Sequence, residues 1–253
     1  MSLTRMTPML AALCLLTVPA EARAQTRWRV DPSSSLAWWQ IAPHMDHLWA
    51  TTCPRDPSWR PGEGRGVGWT VNAFTAPKTA YVLDTAVIPL YPRYWVLPMC
   101  TDAVRGEFVV ADTVRWRGVR GEVTVEGAAL VTGDAARDAY ARDAVIEANR
   151  FPLIRFAVDS LIDVTRQADT IRGTAVGIFS LRGVSQRATA AVQAWPHAGG
   201  LRVLARFSIP ASALVPQYGM SRFALGLGVG LRMWHYVFAG VDVVLRPEEA
   251  TPR

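Results

Sequence analysis

The side chains with the clearest chemical potential cluster early in the chain, in His44-Met45-Asp46-His47 followed by Cys53. Histidines three apart can meet on one helical turn or at a bend, and with Cys53 they form a metal-ligating set. Met45 would add a soft ligand suited to copper. A metal-dependent redox or enzymatic module using His44 and His47 is therefore one reading. The plainer one is a polar loop in which Cys53 pairs with Cys100, leaving no metal and no cofactor. Closing that loop of about 48 residues would constrain the unfolded chain by roughly 4 kcal/mol.

Nucleophilic catalysis finds little to work with. There is no Gly-x-Ser-x-Gly, and of four histidines His235 lies between Trp234 and Tyr236 in an apolar run. Gly62-Glu63-Gly64-Arg65-Gly66-Val67-Gly68 is glycine-rich, but no strand-turn-helix context makes it a phosphate loop. Arg137-Asp138 reads as a structural ion pair or cap tying a helix to its surroundings. An enzyme is not expected, and an envelope interaction protein is a further alternative to the metal-dependent reading.

These residues need elements to hold them, and past the N-terminus the dominant period is two. Ile154, Phe156 and Val158 alternate with Arg155, Ala157 and Asp159, and Leu201 to Ile209 alternate with Arg202, Arg206 and Ser208. Such alternation sets one face on a core and one in water, the mark of antiparallel sheet. Polar breaks at Gln167-Ala168-Asp169 and His197-Ala198-Gly199-Gly200 separate the runs. About eight strands follow, near 27–41, 106–112, 114–126, 153–165, 170–182, 186–196, 200–210 and 234–246, an all-β barrel or sandwich. One helix is expected over Asp134 to Asn149, capped by Asp134 and stopped by Pro152. Pro43 to Asp102, with eight of the 17 prolines, reads as an ordered insertion stapled by Cys53 and Cys100.

The N-terminus has the form of a signal peptide over 1–24. Arg5 precedes the apolar run Met9 to Val18, and Ala22-Arg23-Ala24 supplies a cleavage pattern. The run is too short for a membrane span of ~20 residues, so a periplasmic or secreted chain without a transmembrane segment is expected. Cleavage removes Arg5, Arg23 and Glu21 and lowers the net charge from +6 to +5. Half of the 253 residues are hydrophobic, which excludes a disordered chain. Lys78 is the sole lysine among 27 basic residues, and the arginines are scattered, without the basic tract of a nucleic-acid binder.

Four stretches, in order, resemble the YceI-like family. Trp28-Arg29-Val30-Asp31-Pro32-Ser33-Ser34-Ser35 is similar to its opening W-x-V-D-P-x-x-S. Gly133-Asp134-Ala135-Ala136-Arg137-Asp138 with Arg150-Phe151-Pro152-Leu153-Ile154-Arg155-Phe156 resembles its TG-x-x-x-RD turn and Y-P-x-I-x-F strand. Gly173 to Val184 and Val237 to Leu245 match two later strands. Where the family often has R-S-D-F-G, this chain reads Val215-Pro216-Gln217-Tyr218-Gly219. The resemblance implies a lipocalin-like antiparallel up-and-down β-barrel spanning 25–253, interrupted by the 43–102 insertion. It also implies an elongated apolar cavity for a hydrophobic or amphiphilic small molecule such as an isoprenoid-like lipid or quinone. Inward-facing Trp28, Trp38, Trp116, Phe156, Val158, Ile178, Phe207 and Val243 are the expected lining.

Overall fold

The structure, a computed structural model, describes residues 25–41, 48–52, 101–131, 135–220 and 236–248. Among the described residues, ten strands form one antiparallel sheet: β1 (Thr26–Val30), β2 (Leu36–Ile41), β3 (Leu48–Thr51), β4 (Val104–Val110), β5 (Arg120–Glu126), β6 (Leu153–Gln167), β7 (Thr170–Leu181), β8 (Val184–His197), β9 (Gly200–Pro210) and β10 (Tyr236–Pro247). Their order is β1-β4-β5-β6-β7-β8-β9-β10-β2-β3, and β1 also pairs with β10. That last pairing closes the sheet, which removes the exposed edge an open sheet would carry. β1 and β2 share one edge of β10 and act as a single interrupted stave, flanked by β4 and β3. With β5 to β10 they make an eight-stave, lipocalin-like barrel.

The expected strand over 27–41 is broken for a local reason. Pro32 opens a single 3-10 turn over Pro32–Ser34, and the Ser33 hydroxyl donates to Asp31 Oδ1 at 2.7 Å. β10 compensates across the break. Asp31 N donates to the Val244 carbonyl at 2.8 Å, and Val244 N donates to Ser35 Oγ at 3.0 Å. Both polar groups of the Val244 backbone are thus satisfied where the ladder is interrupted.

The strand expected over 114–126 starts only at Arg120. The alternation in Val114-Arg115-Trp116-Arg117 belongs to a turn instead, in which Asp112 Oδ1 accepts from Val114 N and Arg115 N, each at 3.0 Å. An aspartate that bonds the backbone two residues on replaces the sheet ladder locally. Val114 consequently stands 78% exposed. Elsewhere the turns fit their residues: Arg182-Gly183 and Ala198-Gly199 have positive φ at both positions, as tight hairpins require.

The expected helix over 134–149 is shorter. α1 spans Ala135–Tyr140 and continues as a π-helical turn over Ala141–Ile146, ending where Glu147 adopts φ +54°. Asp134 lies outside the described residues. Sequence reading also missed a second helix, α2 (Ala211–Tyr218), which follows Pro210 and ends at Gly219 with φ +61°.

α1, α2 and the β7–β8 turn gather at one end of the barrel, while the β4–β5, β6–β7 and β8–β9 turns form the other. Arg182 ties the helical end together. It donates to the Gly219 carbonyl at 3.0 Å and to Glu147 Oε1, and Glu147 Oε2 also accepts from Arg150 at 2.8 Å. The end of the π-helical turn, the β7–β8 hairpin and the C-terminus of α2 therefore share one buried guanidinium, whose side chain is 10% exposed.

Candidate ligand cavity

The barrel does not fill with side chains. A cavity of about 500 Å³ runs inside it, within the size range of small-molecule sites. The sequence leaves this space open by placing small residues at inward positions of adjacent strands. Gly173 and Ala175 on β7, Ala190 on β8, Ala205 on β9 and Ala239 on β10 all face the cavity. Leucine or phenylalanine at those positions would close it. Larger inward side chains, among them Phe156, Leu161, Val192 and Val203, supply an apolar wall.

The two ends differ. At the turn end Trp28 packs against Trp116, ring centroids 6.4 Å apart, and Phe108 is also on the wall there. Trp28 Nε1 is buried without a hydrogen-bond partner. Toward the helical end Phe179 packs edge-on against Phe207 at 4.7 Å, and against Tyr218 at 5.9 Å. Burial pushes the Tyr218 phenol above its usual range, so it stays neutral at ordinary pH. Ala141, Val145 and Ile146 of the π-helical turn cover this end, and Arg137 and Tyr140 of α1 complete the wall. Arg137 is exposed and Tyr140 is 45% exposed, so both lie at a rim that solvent reaches.

The expected lining separates by register. Trp28, Trp116, Phe156, Val158, Phe207 and Val243 line the cavity. Ile178 does not. The inward residues of β7 are Ile171, Gly173, Ala175, Phe179 and Leu181, and a period of two sends Ile178 to the outer face. There it stands opposite Ala157 and Arg187. Phe179 is the lumen residue that Ile178 was expected to be. Trp38 is a mixed case. Its register partner is Gly240, whereas its neighbours Ala37 and Trp39 pair with inward-facing Val241 and Ala239. Trp38 therefore belongs to the outer face, with its indole across Gly240, where an added Cβ would come within 2.6 Å of Cζ2. It borders the cavity because Gly240 puts no side chain between them.

Arg137 takes a place on the cavity rim in addition to any structural part, and Asp138 lies beside it in α1. Arg155 borders the cavity from β6, but its guanidinium is bound to Glu122 on the outer face. Tyr140, Leu214 and Met220 are lining residues that sequence reading missed. The first belongs to α1 and the other two to α2 and its exit, so strand alternation carried no signal for them. His44, His47, Cys53 and Cys100 lie outside the described residues, as does the signal-like segment 1–24. Among the described residues no group of three His, Cys, Asp or Glu side chains could hold a metal ion, and no helix is long and apolar enough to cross a membrane.

Comparison with known proteins places this architecture. The chain is similar in structure to Burkholderia cenocepacia BcnA, with a TM-score of 0.51 at 10% identity, over 85% of this chain and 98% of that one. A polyisoprenoid binding domain from Saccharophagus degradans, implicated in plant cell wall breakdown, gives 0.47 at 10% identity, over 87% and 98% of the two chains. A mutant Campylobacter jejuni YCEI protein gives 0.43 at 16% identity, over 58% and 82%. At these identities the first match speaks for the fold. No curated protein matches the sequence. The YceI-like domain matches residues 97–233, more than half of the chain, and the chain belongs to that family.

Proposed function

We propose that this chain is an exported binding protein that sequesters or carries a hydrophobic or amphiphilic molecule, an isoprenoid-like lipid or quinone, in the barrel lumen. The observation that carries this reading is the cavity of about 500 Å³ with an almost wholly apolar wall. Burying a hydrocarbon chain in such a space gains ~0.8 kcal/mol per CH₂, so binding needs little specific chemistry. The protein acts by holding its ligand rather than by turning it over. Export is supported by the position of β1, which begins at Thr26, two residues beyond the cleavage pattern at Ala24.

The insertion is stapled at its base by Cys53 and Cys100 in this reading. Its support is that the flanking residues meet: the Thr101 hydroxyl donates to the Thr52 carbonyl at 3.0 Å. Organic extraction of protein purified from the periplasm, followed by mass spectrometry, tests the function. A co-purifying amphiphile at near-stoichiometric yield is expected. A lumen that is empty and also refuses added polyprenyl lipids and quinones would overturn the reading.

A further inference from the structure

The outer face of an antiparallel barrel ordinarily meets water, and much of this one does. Arg105, Arg155, Arg172 and Arg187 stand exposed on the outside of β4, β6, β7 and β8. One patch departs from this. Gln193, Leu204, Asp242 and Leu36 are register partners in a single row across β8, β9, β10 and β2. Their strand neighbours Ala194, Ala205, Val243 and Ala37 line the lumen, so the row points outward. Yet none of the four is more than 5% exposed. Trp38 and Val244, one pleat away on the same face, are buried too.

The described elements leave this row to be covered from elsewhere. α2 packs on β8 and β9, but it begins beyond Pro210, six residues past Leu204 and so about 20 Å away along the strand. The 3-10 turn over Pro32–Ser34 packs on β10, across the patch from Gln193. Gln193 Nε2 is buried without a hydrogen-bond partner among the described residues, and a buried amide needs an acceptor in whatever lies over it.

The chain between Thr52 and Thr101 leaves and returns beside the end of this row. Thr52 N donates to the Ala37 carbonyl and Ala37 N donates to Thr52 Oγ1, each at 3.0 Å, and Leu36 is the next residue. Thr101 Oγ1 donates to the Thr52 carbonyl. From Leu36 to Gln193 is three strand spacings, about 15 Å, which a segment of about 48 residues crosses easily. Its stretch Tyr81 to Met99 carries only two charges, Asp84 and Arg93, among aliphatic and aromatic side chains that suit Leu204, Trp38 and Val244. Segment 221–235 fits less well, because it joins Met220 to Tyr236 and both lie at the helical end.

We infer that the outer face of β2, β8, β9 and β10 is a docking surface for the chain's own segment 53–100. The segment braces the barrel from outside, over the Arg202–Asp242 pair, and the lumen is left to its ligand.

Photo-cross-linking in the full chain tests this. Benzoylphenylalanine replaces Trp195, an outward aromatic on β8 paired with Arg202, and in a second protein replaces Ile178 on the outside of β7. Circular dichroism confirms both folds. Irradiation and tryptic mass spectrometry should join position 195 to residues 53–100 within one chain, and position 178 to none of them. Cross-links from 195 to 221–235, to a second copy of the chain or to nothing would overturn the inference, as would equal cross-linking of 53–100 from both positions. Hydroxyl-radical footprinting reads the same face without a substitution in it. Leu204 should be protected in the parent and should oxidise as fast as Ile178 once 54–99 is replaced by a short Gly-Ser linker. Equal protection of Leu204 in both proteins would overturn the inference. Neither readout depends on what the lumen binds.

Discussion

Arg202 on β9 grips Asp242 on β10 with two hydrogen bonds, Nε to Oδ1 at 2.8 Å and Nη2 to Oδ2 at 2.5 Å. The pair sits on the outer face, across the strand junction nearest the barrel's closure. Its members are unequally buried: the Asp242 side chain is 2% exposed and that of Arg202 is 26% exposed. Removing the arginine strands a buried carboxylate, whereas removing the carboxylate lets the guanidinium turn to water. R202M should therefore cost more than D242N, within the ~3–5 kcal/mol typical of breaking a buried pair. Urea denaturation at neutral pH measures the difference, and equal costs would contradict this account of the burial.

Asp31 gives a pH dependence of known sign. Burial raises its pKa, but the Ser33 and Ser34 hydroxyls and the Arg246 guanidinium outweigh that and hold it below the ordinary 3.8. A carboxyl with a depressed folded pKa binds fewer protons folded than unfolded, so it stabilises above the unfolded value and loses that contribution as pH falls through the folded one. D31N should be less stable than the parent by about 1 kcal/mol at pH 7. The gap should close as the pH drops below about 3.8. Melting curves from pH 7 to pH 2.5 check it, and a gap that is constant with pH would remove Asp31 as the cause.

Gly177 faces inward on β7 beside the irregular register between Val158 and Ser160. A Cβ there would meet the Ala157 carbonyl oxygen at 1.9 Å, closer than any relaxation of a side chain could relieve. G177A should destabilise the barrel by about 1–3 kcal/mol or more, as overpacking does. An alanine at Gly199, where nothing lies within 4 Å, tests backbone strain alone at φ +79° and should cost less. Thermal melts of the two variants decide between close approach and strain.

The contact between Thr101 and Thr52 predicts the thiol count. With export and cleavage after Ala24 as proposed, Cys53 and Cys100 are the cysteines that remain, and both should be unreactive until the unfolded protein is reduced. Ellman titration should give no free thiol without reductant and two with it. Removing the bridge with C53S/C100S should cost roughly 4 kcal/mol by the chain-entropy account. Two free thiols in oxidised, unfolded protein would instead reopen metal ligation by Cys53.

Strand alternation made the barrel wall legible because a closed sheet with a dry interior imposes one period on every stave. Phe156, Phe207 and Val243 could be placed on the lumen from their neighbours alone. The misreadings arose where local hydrogen bonding replaced the ladder. Asp112 turned Val114-Arg115-Trp116-Arg117 into a loop, and Pro32 broke the first strand. Ile178 falls on the outer face, and the sequence hides this because Gly177 interrupts the apolar pattern of β7 and obscures its phase. The cavity's existence was written less in the large residues than in Gly173, Ala175, Ala190 and Ala205, whose small side chains leave the space. Arg137 looked structural because its helix was legible but the cavity beneath it was not.

The central claim is that the lumen itself holds the ligand. Ala190 lies on its wall and is 4% exposed, so A190F fills the space from within. Organic extracts of the parent and of A190F, purified in parallel from the periplasm and matched for circular dichroism, should differ. The parent should release close to one amphiphile per chain and the variant almost none. Equal yields from both proteins would place the lipid outside the barrel and contradict the account.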